Sequence, residues 1–433
     1  MAAVDLGQPN GPRHLRSAPD PLGLYLRVGR NDHTVLLELI ARGDAQCFGL
    51  IPEATAAKRH RELRQQALAA GLDTILDPRT QAAATIGGHS QELAALPWGL
   101  ARPHRLEDFK DAAGQWRMAS IADFALEQSF TQVLAPTHLV NASTDPWFRI
   151  DCESTRTLRR QLDSAGGRKV QILYSLAIPY ALLRDEHECE AFVAALTDIP
   201  ADAIWLRIEG LGAGATANGV RNHMLGANAF KALEKPVVAD GIGGLAGLSL
   251  LAFGAAGGIA HGITFGERVD HSTWRRPRVE SPFGRKRRVY LSDLDLLLEP
   301  DIADELIHSS PRAAGLLSCR DTHCCPRGIK DTIENPGRHY LIQRMKQIVG
   351  VGRVPLAVRS KQFVDDFIRP ASDVLAQVSN WSLKNEDVLK MLRKQRRRVD
   401  GLRVAMRTLA ASFEPQRPAL PRTRIAREPR PGL

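Results

Sequence analysis

Residues 236–267 read PVVADGIGGLAGLSLLAFGAAGGIAHGITFGE, and they alternate between short β-type and longer helical patterns. The apolar run 237–239 is followed by a glycine turn, a helix-length apolar segment and a second β-type run that begins at Gly258. Continuous apolar strands that alternate with helices are typical of a parallel sheet covered on both faces. This stretch therefore predicts a βαβ unit of an α/β fold.

The same alternation extends from about Leu24 to about Asp270, with helical patterns such as 54–70 and 189–196 between short apolar runs. The strand candidates are Leu24–Val28, Cys47–Ile51, Thr74–Asp77, Gln132–Val140, Val170–Leu176, Ile204–Ile208, Val237–Ala239 and Gly258–Ile263. Eight strands over about 240 residues match the length of a TIM-type (β/α)8 barrel, and a doubly wound open sheet is the alternative.

The placement of polar residues favours the barrel. They lie at or just beyond several different strand ends, at Asp77, Asp151, Glu209, Asp240 and His261. Barrel enzymes collect their chemistry at the C-terminal ends of many strands, whereas an open sheet concentrates it at one crevice. We therefore predict a barrel, with Leu316–Ser318 as an alternative closing strand.

The composition predicts five segments along the chain. They are a flexible N-terminus at 1–23, the barrel at 24–318 with a basic loop at 271–290, a Cys/His knuckle at 319–346, a helical extension at 347–413 and a disordered basic tail at 414–433. Apolar residues spaced by three and four predict a long helix from Asn385 to Phe413. We expect this helix to pack on the barrel, and the alternative is a homodimer through its apolar stripe.

Three cysteines and a histidine form the sharpest local pattern, Cys-x4-Cys-Cys-x13-His at Cys319, Cys324, Cys325 and His339. Thiolates and an imidazole in tetrahedral array are the ligands of structural zinc, and His323 is a spare donor. Four protein ligands leave no open position for water. The pattern therefore predicts a structural Zn²⁺ rather than a catalytic one.

The glycine turn after the strand at 237–239 is a candidate binding site. Gly241 and Gly243 allow a tight turn that presents N–H groups at a helix N-terminus, where phosphate or a polar heterocycle can bind. The alternative is an ordinary tight turn between strand and helix. Asp240 is predicted to point into the barrel mouth, and His261 is predicted to occupy the matching place one strand later.

The net charge of +10 is concentrated in the C-terminal region, where residues 390–433 hold thirteen Lys/Arg against three Asp/Glu. A second basic run at 275–288 predicts a nucleic-acid partner. Its candidate phosphate contacts are Arg275, Arg276, Arg285, Lys286, Arg287 and Arg288. Residues 1–23 contain no secretory apolar stretch, and the apolar run at 248–260 is too short for a membrane helix, so we expect a cytoplasmic protein without membrane contact.

A barrel followed by a Cys/Cys/Cys/His knuckle and a basic helical segment resembles the tRNA-guanine transglycosylase superfamily, including its DNA-acting branch that inserts 7-deazaguanine bases. The resemblance covers about residues 47–346 and rests on DPRTQ at 77–81, GIG at 241–243 and RHYLIQR at 338–344. It implies zinc in the knuckle and exchange of a guanine-type base, a small molecule, in tRNA or DNA through an aspartate nucleophile.

The family position of that nucleophile falls near His261, so the resemblance leaves the attack to another carboxylate. Its candidates here are Asp77, Asp151 and Asp240. The candidate contacts to the base are Gln81, Glu209, Gly241, Gly243 and His261.

Two other functions fit parts of the sequence. PVVADGIGG followed by GITFGE is similar to the phosphate-binding end of FMN-dependent barrel oxidoreductases. The other alternative is that the protein has no catalytic activity and uses its barrel as a scaffold to bind nucleic acid.

Overall fold

The computed structural model describes residues 20–277, 287–381, 383, 385–412 and 417–424. Eight parallel strands close into a barrel in sequence order, and the last strand pairs with the first. The strands are β1 Gly23–Val28, β2 Gly49–Pro52, β3 Asp73–Leu76, β4 Gln132–Leu134, β5 Gln171–Pro179, β6 Ala203–Glu209, β7 Val237–Asp240 and β8 Gly258–Gly262. The predicted TIM-type barrel is confirmed, and the open-sheet alternative is wrong.

Every predicted strand overlaps an observed one, with one clear difference in length. The strand predicted at 132–140 ends at Leu134, because the regular pairing with β5 is interrupted there. The chain returns to β5 at an isolated parallel bridge between Leu139 and Ala177. The alternative closing strand at 316–318 is wrong. Leu316 belongs to a helix that begins at Pro311 and is capped by Ser310, whose side chain accepts the N–H of Ala313.

Helices connect the strands and continue behind the barrel. Those between β1 and β8 are α1 His33–Ala41, α2 Arg61–Ala69, α3 Thr80–Ala83, α4 Gln91–Ala94, α5 Asp111–Glu127, α6 Pro146–Ser164, α7 Tyr180–Leu183, α8 Glu186–Leu196, α9 Ala217–Ala229 and α10 Gly244–Ala252. Those after the barrel are α11 Pro300–His308, α12 Pro311–Leu317, α13 Ile329–Glu334, α14 Pro336–Arg353, α15 Leu356–Phe363, α16 Arg369–Val378 and α17 Glu386–Ser412. A two-stranded antiparallel sheet, β9 Val289–Leu291 and β10 Leu296–Leu298, precedes α11.

Side chains inside the barrel form an apolar layer with a polar layer next to it. The apolar layer consists of Tyr25, Ile51, Ile75, Leu134, Leu173, Ala203, Trp205, Val238 and Ala260. Strand residues two positions apart point to the same side of a sheet. The next inward positions towards the C-terminal ends of the strands are therefore polar, at Arg27, Asp77, Ser175, Arg207 and Asp240.

The predicted long helix is observed as α17, and its apolar residues face the protein. Val388, Leu392 and Val399 are buried, and α17 packs against α9, α15 and α16. Buried Gln395 donates to the backbone carbonyls of Leu294 and Asp295, which ties the helix to the turn between β9 and β10. We expected the helix to pack on its own chain rather than on a second copy, and its apolar stripe is indeed covered by the protein's own helices.

Part of the predicted disordered tail is folded. Residues 417–424 cross the N-terminal end of the barrel, where Pro421 lies against Gly23 and the carbonyl of Ala419 lies against Gly257. Arg417 pairs with Asp20 at 2.6 Å. The prediction of disorder is therefore wrong for these eight residues.

Across the described ranges, no helix combines the length and the apolar character needed to cross a bilayer.

Candidate functional site

Arg27 joins two of the predicted catalytic carboxylates. Its Nη1 donates to Asp77 Oδ2 at 2.6 Å, and its Nε and Nη2 donate to the two carboxylate oxygens of Asp240 at 2.9 and 2.5 Å. Arg27 comes from β1, Asp77 follows β3 and Asp240 ends β7. The closed barrel therefore brings together three residues that are far apart in sequence.

Arg207 at the end of β6 supplies a second guanidinium to the same cluster. Its Nε and Nη2 donate to Asp240 Oδ2 at 3.0 and 2.7 Å, and its Nη2 lies 3.6 Å from Asp77 Oδ2. Its Nη1 donates to the amide oxygen of Gln81, whose nitrogen donates to Thr137 Oγ1 at 2.9 Å. We call Arg27, Asp77, Gln81, Arg207 and Asp240 the mouth cluster.

The arginines keep both aspartates ionised. Burial would raise the pKa of Asp77, but the charges of Arg27 and Arg207 outweigh it and hold that pKa below its usual value. The pKa of Asp240 is also lowered, because the same two arginines outweigh its burial. The cluster therefore presents carboxylates rather than carboxylic acids at neutral pH.

Asp77 and Asp240 differ in how far their side chains are exposed. The side chain of Asp240 is fully buried, and four N–H groups of Arg27 and Arg207 occupy its oxygens. Asp77 keeps 9% of its side-chain surface, and among the described residues its Oδ1 accepts only the backbone N–H of Arg79, at 2.9 Å. The side chain of Arg27 is 25% exposed beside it. Asp77 is therefore the more exposed of the two carboxylates.

Asp151, the third predicted catalytic carboxylate, lies in another environment. It belongs to α6 and is fully buried, where it accepts the Nδ1–H and backbone N–H of His138 at 2.6 and 2.8 Å. The ring of Trp147 stacks on His138 with centroids 3.7 Å apart. Asp151 therefore fixes the chain that follows β4. Among the described residues it has no contact with the mouth cluster, so the prediction that it lies with the other catalytic carboxylates is wrong.

His261 does not occupy the place that corresponds to Asp240. Asp240 is paired with Ala260, which points into the barrel, so the adjacent His261 points outward. Its Nδ1 lies 3.1 Å from the hydroxyl of Tyr340 in α14. The prediction that His261 lies in the barrel mouth is therefore wrong, because its neighbour Ala260 occupies the inward position of β8.

The N-terminus of α10, predicted to bind phosphate or a heterocycle, already holds two carboxylates of the protein. The N–H of Gly244 donates to Glu267 at 3.3 Å, and the N–H of Leu245 donates to Asp295 at 3.0 Å. Side chains at Gly241 and Gly243 would collide with Val269 and Glu267. The glycines are required because the chain after β8 crosses them closely, and the predicted ligand contacts of Gly241 and Gly243 are replaced by internal ones.

Glu209 and Arg275, predicted to contact the base and the nucleic acid respectively, form an ion pair with each other at 2.8 Å. This pair anchors residues 263–277, the chain after β8, which we call the β8 loop. The backbone carbonyl of Trp274 also accepts the N–H of Gly87, at 2.8 Å. The β8 loop therefore covers part of the barrel mouth.

The other predicted basic residues lie near the same loop. Arg276, Arg287 and Arg288 are exposed, Arg287 donates to the carbonyl of Asn31 at 3.2 Å, and Arg288 lies over the ring of Phe265. Arg285 and Lys286 lie outside the described residues.

Cys319, Cys324, Cys325 and His339 converge, with ligand atoms that all lie within 4.8 Å of one another. The sulfurs of Cys324 and Cys325 are 3.7 Å apart and lie 3.4 and 3.3 Å from His339 Nδ1. A tetrahedral ion with metal–sulfur distances of about 2.3 Å requires sulfurs about 3.8 Å apart and a nitrogen about 3.6 Å from each. The predicted convergence of these four residues is therefore confirmed, and their donor atoms could hold a metal ion.

Surrounding groups orient these four side chains. His339 Nε2 donates to the backbone carbonyl of Tyr290 at 2.9 Å, which leaves Nδ1 free to bind a metal. Gln343 and Thr332 donate to the sulfurs of Cys319 and Cys325, each at 3.5 Å. His323, the predicted spare donor, instead pairs with Asp44 at 2.9 Å.

Helix α14 connects this Cys/His cluster to the barrel. One turn after His339, the fully buried Arg344 pairs with Glu267 at 2.8 Å. Tyr340 donates to the same carboxylate oxygen at 2.7 Å. Burial would raise the pKa of Glu267, but the charge of Arg344 outweighs it and the pKa is lowered. Glu267 therefore ties α14, the β8 loop and α10 together.

Sequence reasoning missed Arg27, Arg207 and His271. The first two lie two residues after the interior Tyr25 and Trp205, and this inward register was the signal that could have found them. His271 in the β8 loop is buried, and its Nε2 has no hydrogen-bond partner among the described residues. Burial and the charge of Arg207 lower the pKa of His271 to about 3, so its imidazole is neutral near the cluster.

Comparisons with known proteins show no family for this chain. No family model and no curated protein sequence matches this chain. The deoxyribose phosphate aldolase of Aeropyrum pernix matches at 15% identity over 56% of this chain and 85% of its own, with a TM-score of 0.34. A GH26 β-mannanase from Bacteroides ovatus matches at 12% identity over 61% and 85%, with a TM-score of 0.36.

The type I 3-dehydroquinate dehydratase of Clostridium difficile matches at 9% identity over 59% of this chain and 89% of its own, with a TM-score of 0.36. These three proteins are enzymes with different reactions. The barrel assignment rests on the closed strand order of this chain itself.

Proposed function

We propose that this protein is a transglycosylase-like enzyme that exchanges a guanine-type base in tRNA or DNA, with Asp77 as its nucleophile. The observation that carries the proposal is the ionised, partly accessible carboxylate of Asp77 at the barrel mouth, held by Arg27 and Arg207. Carboxylates in this state serve as nucleophiles at glycosidic carbons. The metal centre and the basic surface are the further features that this function accounts for.

In the proposed reaction, a carboxylate oxygen of Asp77 forms a bond to C1′ of the target nucleotide while the bond from C1′ to the base nitrogen breaks. The departing base keeps the electron pair and takes up a proton. The incoming base then loses a proton, its nitrogen bonds to C1′, and the Asp77 carboxylate leaves. The two proton transfers balance, and no oxidant or reductant is consumed.

Asp240 has a positioning role in this proposal. It receives four N–H groups from Arg27 and Arg207, so its oxygens have little capacity left for an attack. Its charge instead fixes the two guanidinium groups beside Asp77 and Gln81. Gln81 and the neutral His271 are the polar groups that we assign to contact the base. Zinc bound at the Cys/His centre would supply structural stabilisation of the segment that carries α14.

The flavin alternative loses its main support. A cofactor phosphate at the start of α10 would have to displace the carboxylates of Glu267 and Asp295, which already accept the N–H groups of Gly244 and Leu245. Both carboxylates also have arginine partners, Arg344 and Arg398. We therefore rank base exchange above flavin chemistry.

The test is trapping of a covalent adduct and exchange of labelled guanine, with tRNA and with duplex DNA as separate substrates. We expect wild-type protein to form an adduct that persists on a denaturing gel, and Asp77→Asn to form none. Asp366→Asn, which removes an exposed carboxylate on the helical extension, is the matched control and should retain activity. Adduct formation by Asp77→Asn would assign the attack to another residue, and no exchange by wild-type protein on either nucleic acid would refute the function.

A further inference from the structure

The structure divides the basic residues of the C-terminal region into two groups. Several are used internally by ion pairs or by backbone carbonyls. Arg398 pairs with Asp295 at 2.8 Å, Arg396 lies 3.6 Å from Asp400, and Arg417 pairs with Asp20. Arg424 donates to the carbonyl of Leu68. These cations hold the fold together, so the high charge of this region does not as a whole mark a binding surface.

The second group forms a row on the solvent face of α17. Lys390, Arg393, Lys394 and Arg397 are all exposed, and their spacing of three and four places them on one side of the helix. We call these four residues the α17 stripe. Within the described residues only Lys390 has an acidic partner, Asp387 at 3.2 Å. The cations of Arg393, Lys394 and Arg397 face solvent, and no carboxylate of the described ranges neutralises them.

The α17 stripe lies at the end of the barrel that carries the mouth cluster. Arg398, directly after the stripe, donates to the carbonyl of Ala213 in the loop after β6, at 2.8 Å. Gly401 lies against Ala217, the first residue of α9. The chain then descends, and residues 417–424 reach the opposite end of the barrel. The first half of α17 is therefore level with the C-terminal ends of the strands.

The chemistry of the α17 stripe fits a row of phosphates. Residues 390 and 397 are separated by about 10 Å along the helix axis, given a rise of 1.5 Å per residue. A nucleic-acid strand offers a negative charge about every 3.4 Å along its axis, so about three phosphates match this length. The opposite, apolar face of α17 is buried against the protein, which leaves it no surface to insert into a lipid bilayer.

We propose that the α17 stripe binds the phosphate backbone of a nucleic acid and guides it along the barrel end that holds Asp77. The contacts are electrostatic and independent of base sequence. The proposal extends the proposed function by placing the polymer, but binding and base exchange are measured separately.

The experiment replaces Lys390, Arg393, Lys394 and Arg397 together by glutamine in the full-length protein. Glutamine keeps the helix propensity and removes four charges. The matched control replaces Arg156, Arg160, Arg168 and Lys169 by glutamine, four exposed cations on the second half of α6 and before β5, towards the opposite end of the barrel. Fluorescein-labelled duplex DNA and a labelled RNA hairpin are titrated by anisotropy at several salt concentrations, which also distinguishes the two polymers.

We expect the stripe variant to bind at least one of the two probes roughly tenfold or more weakly, with a salt slope reduced by about 0.7 to 0.9 per lost phosphate contact. The control variant should bind like wild type. An equal loss in both variants, no binding by wild type, or stripe-dependent binding to phosphatidylserine vesicles in preference to both probes would overturn the proposal. If the protein binds nucleic acid through the α17 stripe but exchanges no base, the stripe proposal stands and only the proposed base-exchange function is contradicted.

Discussion

Arg27 lies between Asp77 and Asp240, with Nη1 2.6 Å from Asp77 Oδ2 and Nε 2.9 Å from Asp240 Oδ1. One guanidinium thereby connects the accessible carboxylate to the buried one. Burial would lower the pKa of Arg27, but the charges of Asp240 and Asp77 outweigh it and raise that pKa above its usual value. The arginine is therefore permanently charged, and its position depends on both aspartates.

Replacement of Asp240 by asparagine should destabilise the protein strongly. Arg27 and Arg207 would lose the fully buried one of the two carboxylates that they share, and Asp77 alone would face both guanidinium groups. Removal of one member of a buried ion pair costs about 3 to 5 kcal/mol. Urea unfolding measures the free energy of unfolding, with Asp366→Asn as a surface control that should change it by less than about 0.5 kcal/mol. Equal stability of Asp240→Asn and wild type would show that the pairing contributes little.

The mouth cluster should also make stability depend on pH in the acidic range. The pKa values of Asp77 and Asp240 are lowered in the folded state relative to about 3.9 in the unfolded chain, so their contribution is complete above that value. It is lost as the pH falls through the folded-state pKa values, because protonation breaks the ion pairs. The slope of unfolding free energy against pH below about pH 4 should be smaller in Asp240→Asn than in wild type. Identical slopes would contradict this assignment.

The Cys/His centre should bind one zinc ion per chain. Replacement of Cys325 by serine should remove the metal and lower the melting temperature, because a structural metal contributes its binding free energy to folding. Elemental analysis of the purified protein measures the content directly. Cys152→Ser, at a buried free cysteine elsewhere in the fold, should retain the metal. Full zinc content in Cys325→Ser would rule out the predicted ligand set.

Glu267→Gln should strongly lower the free energy of unfolding, although Glu267 lies in a loop after the last barrel strand. The fully buried Arg344 would lose its only carboxylate partner among the described residues, at a cost of about 3 to 5 kcal/mol. Chemical denaturation compares this variant with Glu299→Gln, which alters an exposed carboxylate before α11. A similar stability for the two variants would mean that the link between α14 and the β8 loop is weak.

Purified protein should show no flavin absorbance in the visible range. The two N–H groups that would hold a cofactor phosphate at α10 are already bonded to Glu267 and Asp295. Absorbance spectra of the native protein and of its denatured supernatant test this. A yellow protein that releases FMN would restore the flavin alternative.

Short-range patterns in the sequence were sufficient for the barrel, because alternating apolar strands and helices are local features. They also placed Asp77 and Asp240 at the barrel mouth, since Asp77 follows β3 and Asp240 ends β7, and the pattern predicts the ends of both strands to within one residue. They failed for His261, because strand register decides whether its side chain points into the barrel or outward. A shift of one residue reverses that direction. They failed for Asp151 because its partner His138 is thirteen residues away and is brought to it by α6.

The sequence by itself determined the eight-stranded barrel, the four residues of the Cys/His cluster and the long amphipathic helix, because each depends on the spacing of residue types along the chain. Only the tertiary structure decided which charges remain available. Arg27 and Arg207 meet Asp77 and Asp240 because the barrel closes, Glu267 and Asp295 occupy the helix N-terminus, and the folded C-terminal segment uses Arg398 and Arg417 internally. Ion pairing between distant residues depends on three-dimensional proximity, which spacing along the chain does not encode.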